Sequence, residues 1–308
     1  RQKPTGRRIA VVGGGPAGMT AAYYLALEGH RVVVFESQPK AGGWLRYGIP
    51  EYRLPEDVLD YEIESILQLG VDLETGKRLG RDFQLETLFD QGFEAVFLGV
   101  GAWRSTLMNI PGEDAQGVLS GIGFLEKAND GEIDSISGRV VVVGGGNTAV
   151  DAARTSLRLG ADSVTLVYRR SRSEMPAHHL EIEGMEREGV RLELLANPTR
   201  IHQDDQGRIT RMTCIRMQLG EPDASGRRRP VPIEGSEFDI DTDWILEAIG
   251  QQAETDYIES SRLLKEIKTT RWGTLEVDPE AMTTSVPGIF AGGDMITGPA
   301  TAIEAIAA

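Results

Sequence analysis

The feature that constrains the fold most is a plan that occurs twice along the chain. Residues 7–37 read RRIAVVGGGPAGMTAAYYLALEGHRVVVFES, and residues 138–171 read GRVVVVGGGNTAVDAARTSLRLGADSVTLVYRRS. Each has a short apolar run, a triple glycine, a stretch with Ala and Leu at helical spacing, and a second β-branched run that ends at a charged residue. Continuous apolar runs of this length are typical of strands buried on both faces. Each segment therefore predicts a βαβ unit that begins a parallel sheet.

The first copy carries the spacing of a dinucleotide-binding loop. Gly13-x-Gly15-x-x-Gly18 opens the helical stretch, and Glu36 closes the second apolar run. In such loops the first glycine permits a tight turn, the second lets the backbone approach a pyrophosphate, and the third lets helix and strand pack closely. A terminal carboxylate accepts the ribose hydroxyls. We assign these residues to a nucleotide site together with Pro16 and Ala17, against the alternative of a purely structural glycine turn.

The second copy ends with the opposite charge. Its loop is Gly144-x-Gly146-x-x-Ala149, with Asn147 and Thr148 inside it, and its second run ends in Arg169 and Arg170. A carboxylate there would repel a 2′-phosphate, whereas guanidinium groups bind one through paired, charge-assisted hydrogen bonds. The first site is therefore predicted to hold an unphosphorylated adenosine ribose and the second a 2′-phosphorylated one, with Arg172 as a further candidate. The alternative is that these arginines form a solvated strand end.

Composition excludes several classes of function. The formal charge of −15 argues against a nucleic-acid partner, since phosphate binding requires a basic surface. No apolar run approaches the roughly 20 residues that span a bilayer, and RQKPTGRR leads straight into the first strand without a secretory segment. Cys214 is the one cysteine, so the chain has no disulfide framework, CxxC pair or cluster site of its own. We expect a cytoplasmic protein.

The last segment indicates which dinucleotide the first site holds. GIFAGGD (288–294) reads as a strand that leads into Gly293 and Asp294, and a helix is predicted to begin at Thr301 and Ala302. A carboxylate at this turn can hold a polyol hydroxyl, and a helix N-terminus can face an electron-rich ring carbonyl. FAD has such a ribityl chain and a nicotinamide dinucleotide does not. The alternative for Asp294 is an ordinary cap or turn residue.

Several longer motifs carry a family resemblance. They are AGGWLRYGIPEYRLP (41–55), VYRRSRSEMPA (167–177), RWGTLEVDPEAMTTS (271–285) and GIFAGGD, besides the two glycine loops. With them the chain resembles flavoproteins with two dinucleotide-binding domains, in the pyridine nucleotide-disulphide oxidoreductase superfamily. Within these it looks like the small (beta) subunit of glutamate synthase and the FAD/NADPH portion of dihydropyrimidine dehydrogenase.

The resemblance implies an α/β protein of two Rossmann-like domains, the NADPH-binding domain being inserted into the FAD-binding domain. The expected ranges are 1–114 and 253–308 for FAD and 115–252 for NADPH. The resemblance also places further residues at the cofactors: Gly43, Leu45, Arg53, Leu79 and Gly101 at the flavin, and Ala248 and Gly250 at the nicotinamide nucleotide. The family's cysteine-rich N-terminal domain, which holds iron–sulfur clusters, is missing from residues 1–308.

The implied chemistry is hydride transfer from NADPH to the flavin, after which electrons leave for an iron–sulfur domain or subunit. Such a step depends on positioning and on exclusion of water, so we nominate no catalytic acid or base. His178 and His179 are expected to be ordinary surface or core histidines, and no metal site is predicted. Two alternatives remain: an NADPH:flavin reductase or oxidase that acts on a small acceptor, and a non-enzymatic nucleotide-binding redox sensor.

Overall fold

The structure is a computed structural model that describes residues 2–223, 226–254 and 256–308. The chain forms two compact units: residues 1–104 with 251–308 make up unit 1, and residues 105–250 make up unit 2. Residues 1, 224, 225 and 255 lie outside the described residues. The functional domain ranges expected from the sequence stay a prediction.

Strands and helices largely alternate through residues 8–98 and 118–194, and residues 191–252 form a run of strands. The strands are β1 (Arg8–Val12), β2 (Arg31–Phe35), β3 (Asp72–Glu74), β4 (Ala95–Leu98), β5 (Arg104–Ser105), β6 (Val118–Ser120), β7 (Arg139–Val143), β8 (Ser163–Tyr168), β9 (Arg191–Leu194), β10 (Ala196–Gln203), β11 (Ile209–Pro222), β12 (Arg228–Asp241), β13 (Trp244–Glu247), β14 (Gln251–Gln252) and β15 (Ile289–Ala291). The α-helices are α1 (Pro16–Leu27), α2 (Trp44–Tyr47), α3 (Glu56–Leu67), α4 (Leu85–Asp90), α5 (Gly121–Asn129), α6 (Asn147–Arg158), α7 (His179–Glu188), α8 (Arg262–Lys265), α9 (Asp294–Thr297) and α10 (Ala302–Ala307).

Unit 1 is built on a parallel sheet with the strand order β15-β4-β1-β2-β3. Successive residues of its central strands enter different cores: Ala10 and Val12 join one cluster, and Val11 and Val34 join the other. Both faces of the sheet are therefore covered, which is why the apolar runs are continuous rather than alternating. The predicted βαβ unit over residues 7–37 is confirmed by β1, α1 and β2.

Unit 2 contains a second parallel sheet with the order β6-β13-β7-β8-β9 and an antiparallel sheet with the order β10-β11-β12. One face of the parallel sheet packs with helices α5, α6 and α7 around Val142 and Leu166. The other face packs with the antiparallel sheet around Val141, Met212 and Cys214. The predicted α/β class with two Rossmann-like sheets is confirmed.

Strand β1 and strand β7 occupy equivalent places in their sheets. Each pairs on one side with the next strand of its βαβ unit and on the other side with a strand from later in the chain. The strand order reverses at this point, and in parallel α/β sheets ligands bind outside the carboxyl ends of the strands at such a switch point. The fold thus brings both glycine loops to the switch point of their sheets, which is where ligands bind in parallel α/β folds. Among the described residues, no helix is long and apolar enough to cross a membrane.

Candidate dinucleotide-binding sites

The glycine loop of unit 1 combines two glycines that packing requires with one that faces open space. A Cβ atom on Gly13, whose φ is +106°, would lie 2.3 Å from the Gly99 oxygen, and a Cβ on Gly18 would lie 1.9 Å from the Gly13 oxygen. Gly15 differs, because its φ is −78° and the nearest atom to an added Cβ is the Gly43 Cα at 3.7 Å. The protein therefore has room for a side chain at Gly15, which is the position where a pyrophosphate approaches the backbone.

Glu36 is buried at the end of β2, with 4% of its surface exposed. Its Oε2 accepts a hydrogen bond from the Gly14 N–H (2.7 Å), and its Oε1 accepts from the Gln38 N–H (2.7 Å) and the Ser37 hydroxyl (3.1 Å). A carboxylate has about four lone-pair positions, so this network fixes the group and leaves it able to accept from a ligand hydroxyl. The geometry suits an unphosphorylated ribose and would repel a phosphate.

Asp294 follows β15 and holds an acceptor that the described residues do not satisfy. Its Oδ1 is buried and has no hydrogen-bond partner in the described part of the chain. Burial raises the pKa of Asp294 to about 6; a hydrogen bond from the Ala300 backbone opposes the rise and the charge of Glu304 adds to it. A buried acceptor without a partner costs roughly 1–3 kcal/mol. A hydroxyl donor from a bound ligand would remove that cost.

Thr301 and Ala302 lie where α10 begins, as predicted, but the helix end is already capped. The Thr301 N–H and hydroxyl both donate to the Glu304 carboxylate (2.8 and 2.7 Å), and the Glu304 N–H donates back to the Thr301 hydroxyl at 3.3 Å. These bonds lower the pKa of Glu304. The carboxylate therefore already balances the positive end of this short helix.

The loop that follows β2 is held by one arginine. Arg46 has only 8% of its side chain exposed; its Nε donates to the Ala41 carbonyl (2.7 Å), and its guanidinium pairs with Glu56 and Asp60. These bonds fix the turn that carries Gly43, whose φ is +53°.

The other sequence-predicted flavin positions of unit 1 lie in different environments: Leu45 is half-buried, Arg53 is exposed, Leu79 is buried, and Gly101 is half-buried with a φ of +74°.

An aromatic pair in unit 1 was missed by sequence reasoning. The rings of Trp44 and Trp103 lie 3.8 Å apart between centroids, with an interplanar angle of 32°. The Trp44 indole N–H donates to the Ala102 carbonyl at 3.0 Å. The pair thus ties the Gly43 turn to the Gly101 segment, two stretches that the sequence assigned separately to the flavin.

The glycine loop of unit 2 repeats the pattern of the first loop. A Cβ atom on Gly144, whose φ is +147°, would lie 2.1 Å from the Ala248 oxygen. At Gly146 the nearest atom to an added Cβ is the Pro176 Cγ at 4.0 Å, so this position is open. Ala149 is fully buried in the place that Gly18 takes in unit 1. The open second glycine again marks where a pyrophosphate can approach.

A segment after β8 lies along this second loop. The Ala177 N–H donates to the Gly145 carbonyl (3.2 Å), and the His178 N–H donates to the Asn147 side-chain oxygen (3.0 Å). Asn147 is thus held by a backbone contact, while Thr148 follows it in the first turn of α6.

The ring centroids of His178 and His179 lie 4.6 Å apart. No group of three or more His, Cys, Asp or Glu side chains is placed to hold a metal ion among the described residues.

The three predicted arginines have three different environments. Arg169 is exposed and makes no hydrogen bond or ion pair within the described part of the chain. Arg170 is 5% exposed; it pairs with Asp223 (2.7 Å) and donates from Nε to the Arg228 carbonyl (2.8 Å). Arg172 pairs with Glu186 at 2.6 Å and remains half-exposed. Sequence reasoning missed Asp223, which directly follows the hairpin strand β11.

Ala248 and Gly250 follow β13, as predicted. The Ala248 N–H donates to the Val143 carbonyl at 2.8 Å, and the Gly250 carbonyl accepts from the Thr106 N–H at 3.0 Å. Because the Ala248 oxygen also lies against Gly144, this strand end forms one wall of the second glycine loop. The cofactor-binding roles of these residues stay predictions.

Comparison with known proteins agrees with this arrangement. The family described as pyridine nucleotide-disulphide oxidoreductase matches residues 7–308. The chain is 47% identical to the NADP(+)-dependent formate dehydrogenase subunit beta of Moorella thermoacetica, over 98% of this chain and 42% of that subunit. It is 35% identical to the glutamate synthase [NADPH] small chain of Escherichia coli, over 99% of this chain and 67% of that one.

Among solved structures, Mycobacterium tuberculosis FprA in complex with NADPH has a similar fold. The TM-score is 0.79 at 18% sequence identity, and the match covers 99% of this chain and 82% of FprA. A likeness at this identity supports the fold alone. The family resemblance drawn from the sequence motifs is confirmed by the family match and by the relatives.

Proposed function

The chain belongs to the pyridine nucleotide-disulphide oxidoreductase family, and on that premise we propose that it is an FAD-dependent NADPH oxidoreductase module. It takes electrons from NADPH and passes them through FAD to an iron–sulfur or other redox partner. The observation that carries this proposal is the contrast between the two strand ends. Glu36 is a buried carboxylate at the first glycine loop, and Arg169 is an exposed, unengaged cation at the second within the described residues.

Unit 1 is the proposed FAD site. The buried Oδ1 of Asp294 offers an acceptor to a ribityl hydroxyl, and Glu36 offers one to the adenosine ribose. Gly15 leaves room for the pyrophosphate. These features fit FAD better than a nicotinamide dinucleotide, because only the flavin dinucleotide has a polyol chain for the second acid.

Unit 2 is the proposed NADPH site. Arg169 supplies a guanidinium for the 2′-phosphate, and Arg170 fixes the strand end beneath it through Asp223. Guanidinium groups pair with phosphate through parallel charge-assisted hydrogen bonds. This charge distribution favours NADPH over NADH.

When bound, FAD supplies hydride acceptance from NADPH and stepwise release of the two electrons. The residues of this chain contribute binding and orientation. The glycine loops place the two pyrophosphates, Asp294 and Glu36 orient one dinucleotide, and Arg169 selects the other. Neither site requires a side chain to act as an acid or base, since such a transfer depends on the approach of the reacting rings and on excluded water.

The electron acceptor is proposed to lie outside residues 1–308. The sequence has one cysteine, Cys214, which is buried, and burial raises the pKa of its thiol to about 12. It therefore cannot act as a redox disulfide pair. The two named relatives are a subunit and a small chain, and the chain spans less than half of the formate dehydrogenase subunit. These facts support an acceptor in another subunit or domain. We propose that this acceptor carries an iron–sulfur cluster and that the complex is cytoplasmic.

Anaerobic stopped-flow absorbance tests this function. The FAD-loaded chain is mixed with NADPH, and its yellow colour is expected to bleach within milliseconds to seconds. The reduced protein is then mixed either with oxygen or with a protein that carries an iron–sulfur cluster. Faster reoxidation by the cluster protein supports the proposal. Faster reoxidation by oxygen or a small acceptor indicates a flavin reductase or oxidase, and a chain that takes up no flavin contradicts both.

Asp294 makes FAD binding depend on pH. Its pKa is raised to about 6, so it ionises above that pH and then accepts strongly from a hydroxyl. We expect the affinity for FAD to fall by up to roughly tenfold for each pH unit below about 6, because the proton competes with the bound hydroxyl. Equilibrium dialysis of FAD across this range measures the effect. In Asp294→Asn the affinity should be low throughout and this pH dependence absent; a wild-type slope in Asp294→Asn would contradict the assignment.

A further inference from the structure

Glu247 is a buried acid that the proposed function does not yet use. It is the last residue of β13, at the carboxyl end of the parallel sheet of unit 2, and is 4% exposed. The next residue, Ala248, places its carbonyl oxygen against Gly144 of the glycine loop. Glu247 therefore lies one residue from the wall of the nucleotide site, at the point where the strand order reverses.

A second acid, Glu113, lies beside Glu247. The Glu113 carboxylate accepts hydrogen bonds from the backbone N–H groups of Met108 and Ile110. Burial is the largest cause that raises the pKa of Glu247 to about 8, and a hydrogen bond with Glu113 and the charge of Glu113 add to it. The residues paired with Glu247 in the sheet, Ser120 and Val143, carry no charge. Glu247 is therefore mostly protonated and neutral at pH 7.

One oxygen of this acid finds no donor in the part of the chain that the structure describes. The Glu247 Oε1 is buried and lacks a hydrogen-bond partner among the residues that the structure describes. Leaving such an acceptor unsatisfied is costly, so its presence beside a ligand site points to a donor on the ligand. The nicotinamide half of a dinucleotide carries such donors, in its carboxamide N–H2 group and its ribose hydroxyls.

We propose that Glu247, beside Glu113, contacts the nicotinamide half of the dinucleotide in unit 2 and sets the relative affinity for its oxidised and reduced forms. This inference rests on the proposed NADPH site. The reduced ring is neutral and the oxidised ring carries a positive charge. A neutral Glu247 accepts a hydrogen bond from either form without electrostatic preference, whereas an ionised Glu247 attracts the cationic ring.

The sign of the pH effect follows from this. As the pH rises through the pKa of Glu247, the carboxylate forms, and NADP+ gains affinity relative to NADPH. We expect the ratio of the Kd for NADPH to the Kd for NADP+ to rise on the order of 10-fold between about pH 7 and about pH 9. The 2′-phosphate titrates in both ligands, so its contribution cancels in this ratio.

Calorimetric titrations of the full chain freed of FAD, in which no hydride transfer can occur, with NADPH and with NADP+ test the proposal. Glu247→Gln keeps the shape of the acid without its ionisation, and the ratio is expected to stay flat with pH. Glu237→Gln, at an exposed position of β12, is the matched control and should follow the wild type. Glu113→Gln removes a negative charge that raises the pKa of Glu247. The rise in the Kd ratio should therefore occur at lower pH in this variant, which provides a second test.

The possible outcomes distinguish a failure of the NADPH site from a failure of the role proposed for Glu247. If neither nucleotide binds, the assignment of unit 2 to NADPH fails and the role of Glu247 fails with it. If both bind but the ratio is constant in the wild type, or changes equally in Glu247→Gln, the role of Glu247 is wrong while the NADPH site stands.

Discussion

Replacing Arg169 with alanine is expected to weaken NADPH binding on the order of 100-fold and to change NADH binding by less than about twofold. The reason is that the two nucleotides differ only in the 2′-phosphate, and Arg169 is the exposed guanidinium at the end of β8. Binding titrations with both nucleotides measure the effect. Equal effects on NADPH and NADH would show that Arg169 does not bind the 2′-phosphate.

The neighbouring arginines serve as matched controls. Arg170→Ala removes a buried guanidinium that pairs with Asp223, whose side chain is 24% exposed, and should reduce the free energy of unfolding of unit 2 by about 2–3 kcal/mol. Its effect on binding should follow this loss of stability and should not discriminate between the nucleotides. Arg172→Ala breaks a half-exposed pair with Glu186, so its effect on stability should be below about 1 kcal/mol. Thermal unfolding of the three variants shows whether each arginine contributes to the stability of the protein or only to the binding of NADPH.

Replacing Gly15 with alanine is expected to weaken FAD binding on the order of 10- to 100-fold without destabilising the protein. The backbone at Gly15 is compatible with alanine, and the nearest protein atom to the new Cβ is 3.7 Å away. The methyl group would instead occupy the space into which the pyrophosphate must come. Flavin content after purification, together with the melting temperature of the apoprotein, measures both effects.

Two other glycines make the interpretation of Gly15→Ala specific. Gly18→Ala would place a Cβ 1.9 Å from the Gly13 oxygen, so this variant should lose stability as well as flavin. Gly184→Ala, within α7, meets nothing closer than the Arg154 guanidinium carbon at 3.7 Å and should leave flavin content unchanged. If Gly15→Ala retains full affinity for FAD, the first loop does not receive a pyrophosphate at this glycine.

Much of the fold could be predicted from local pattern. Continuous apolar runs such as 9–12 and 140–143 indicate strands that are buried on both faces, and triple glycines before helical stretches indicate the βαβ crossover. The opposite charges at Glu36 and Arg169 also stand in the sequence at fixed places of the motif. These features are short-range, so no knowledge of the tertiary structure is needed to find them.

The different roles of neighbouring residues inside the sites could not be predicted in the same way. Arg169 and Arg170 are identical neighbours, and only the hairpin of β11 and β12, which brings Asp223 to one of them, makes one arginine structural and leaves the other exposed. The Glu113–Glu247 interaction and the Trp44–Trp103 stack join residues far apart in the chain. Such pairings arise from long-range packing, which a single sequence does not encode in any local spacing.

The most direct test of the account is a count of bound nucleotides. The purified chain is saturated with FAD, and the unbound FAD is removed. The protein is then titrated anaerobically with NADP+. Bound flavin is measured by absorbance, and the adenine nucleotides released on denaturation are quantified. One FAD and one NADP+ per chain, bound without mutual displacement, is the predicted result. If the two compete for a single place, or if the chain never holds more than one adenine nucleotide, the assignment of unit 1 to FAD and unit 2 to NADPH is wrong.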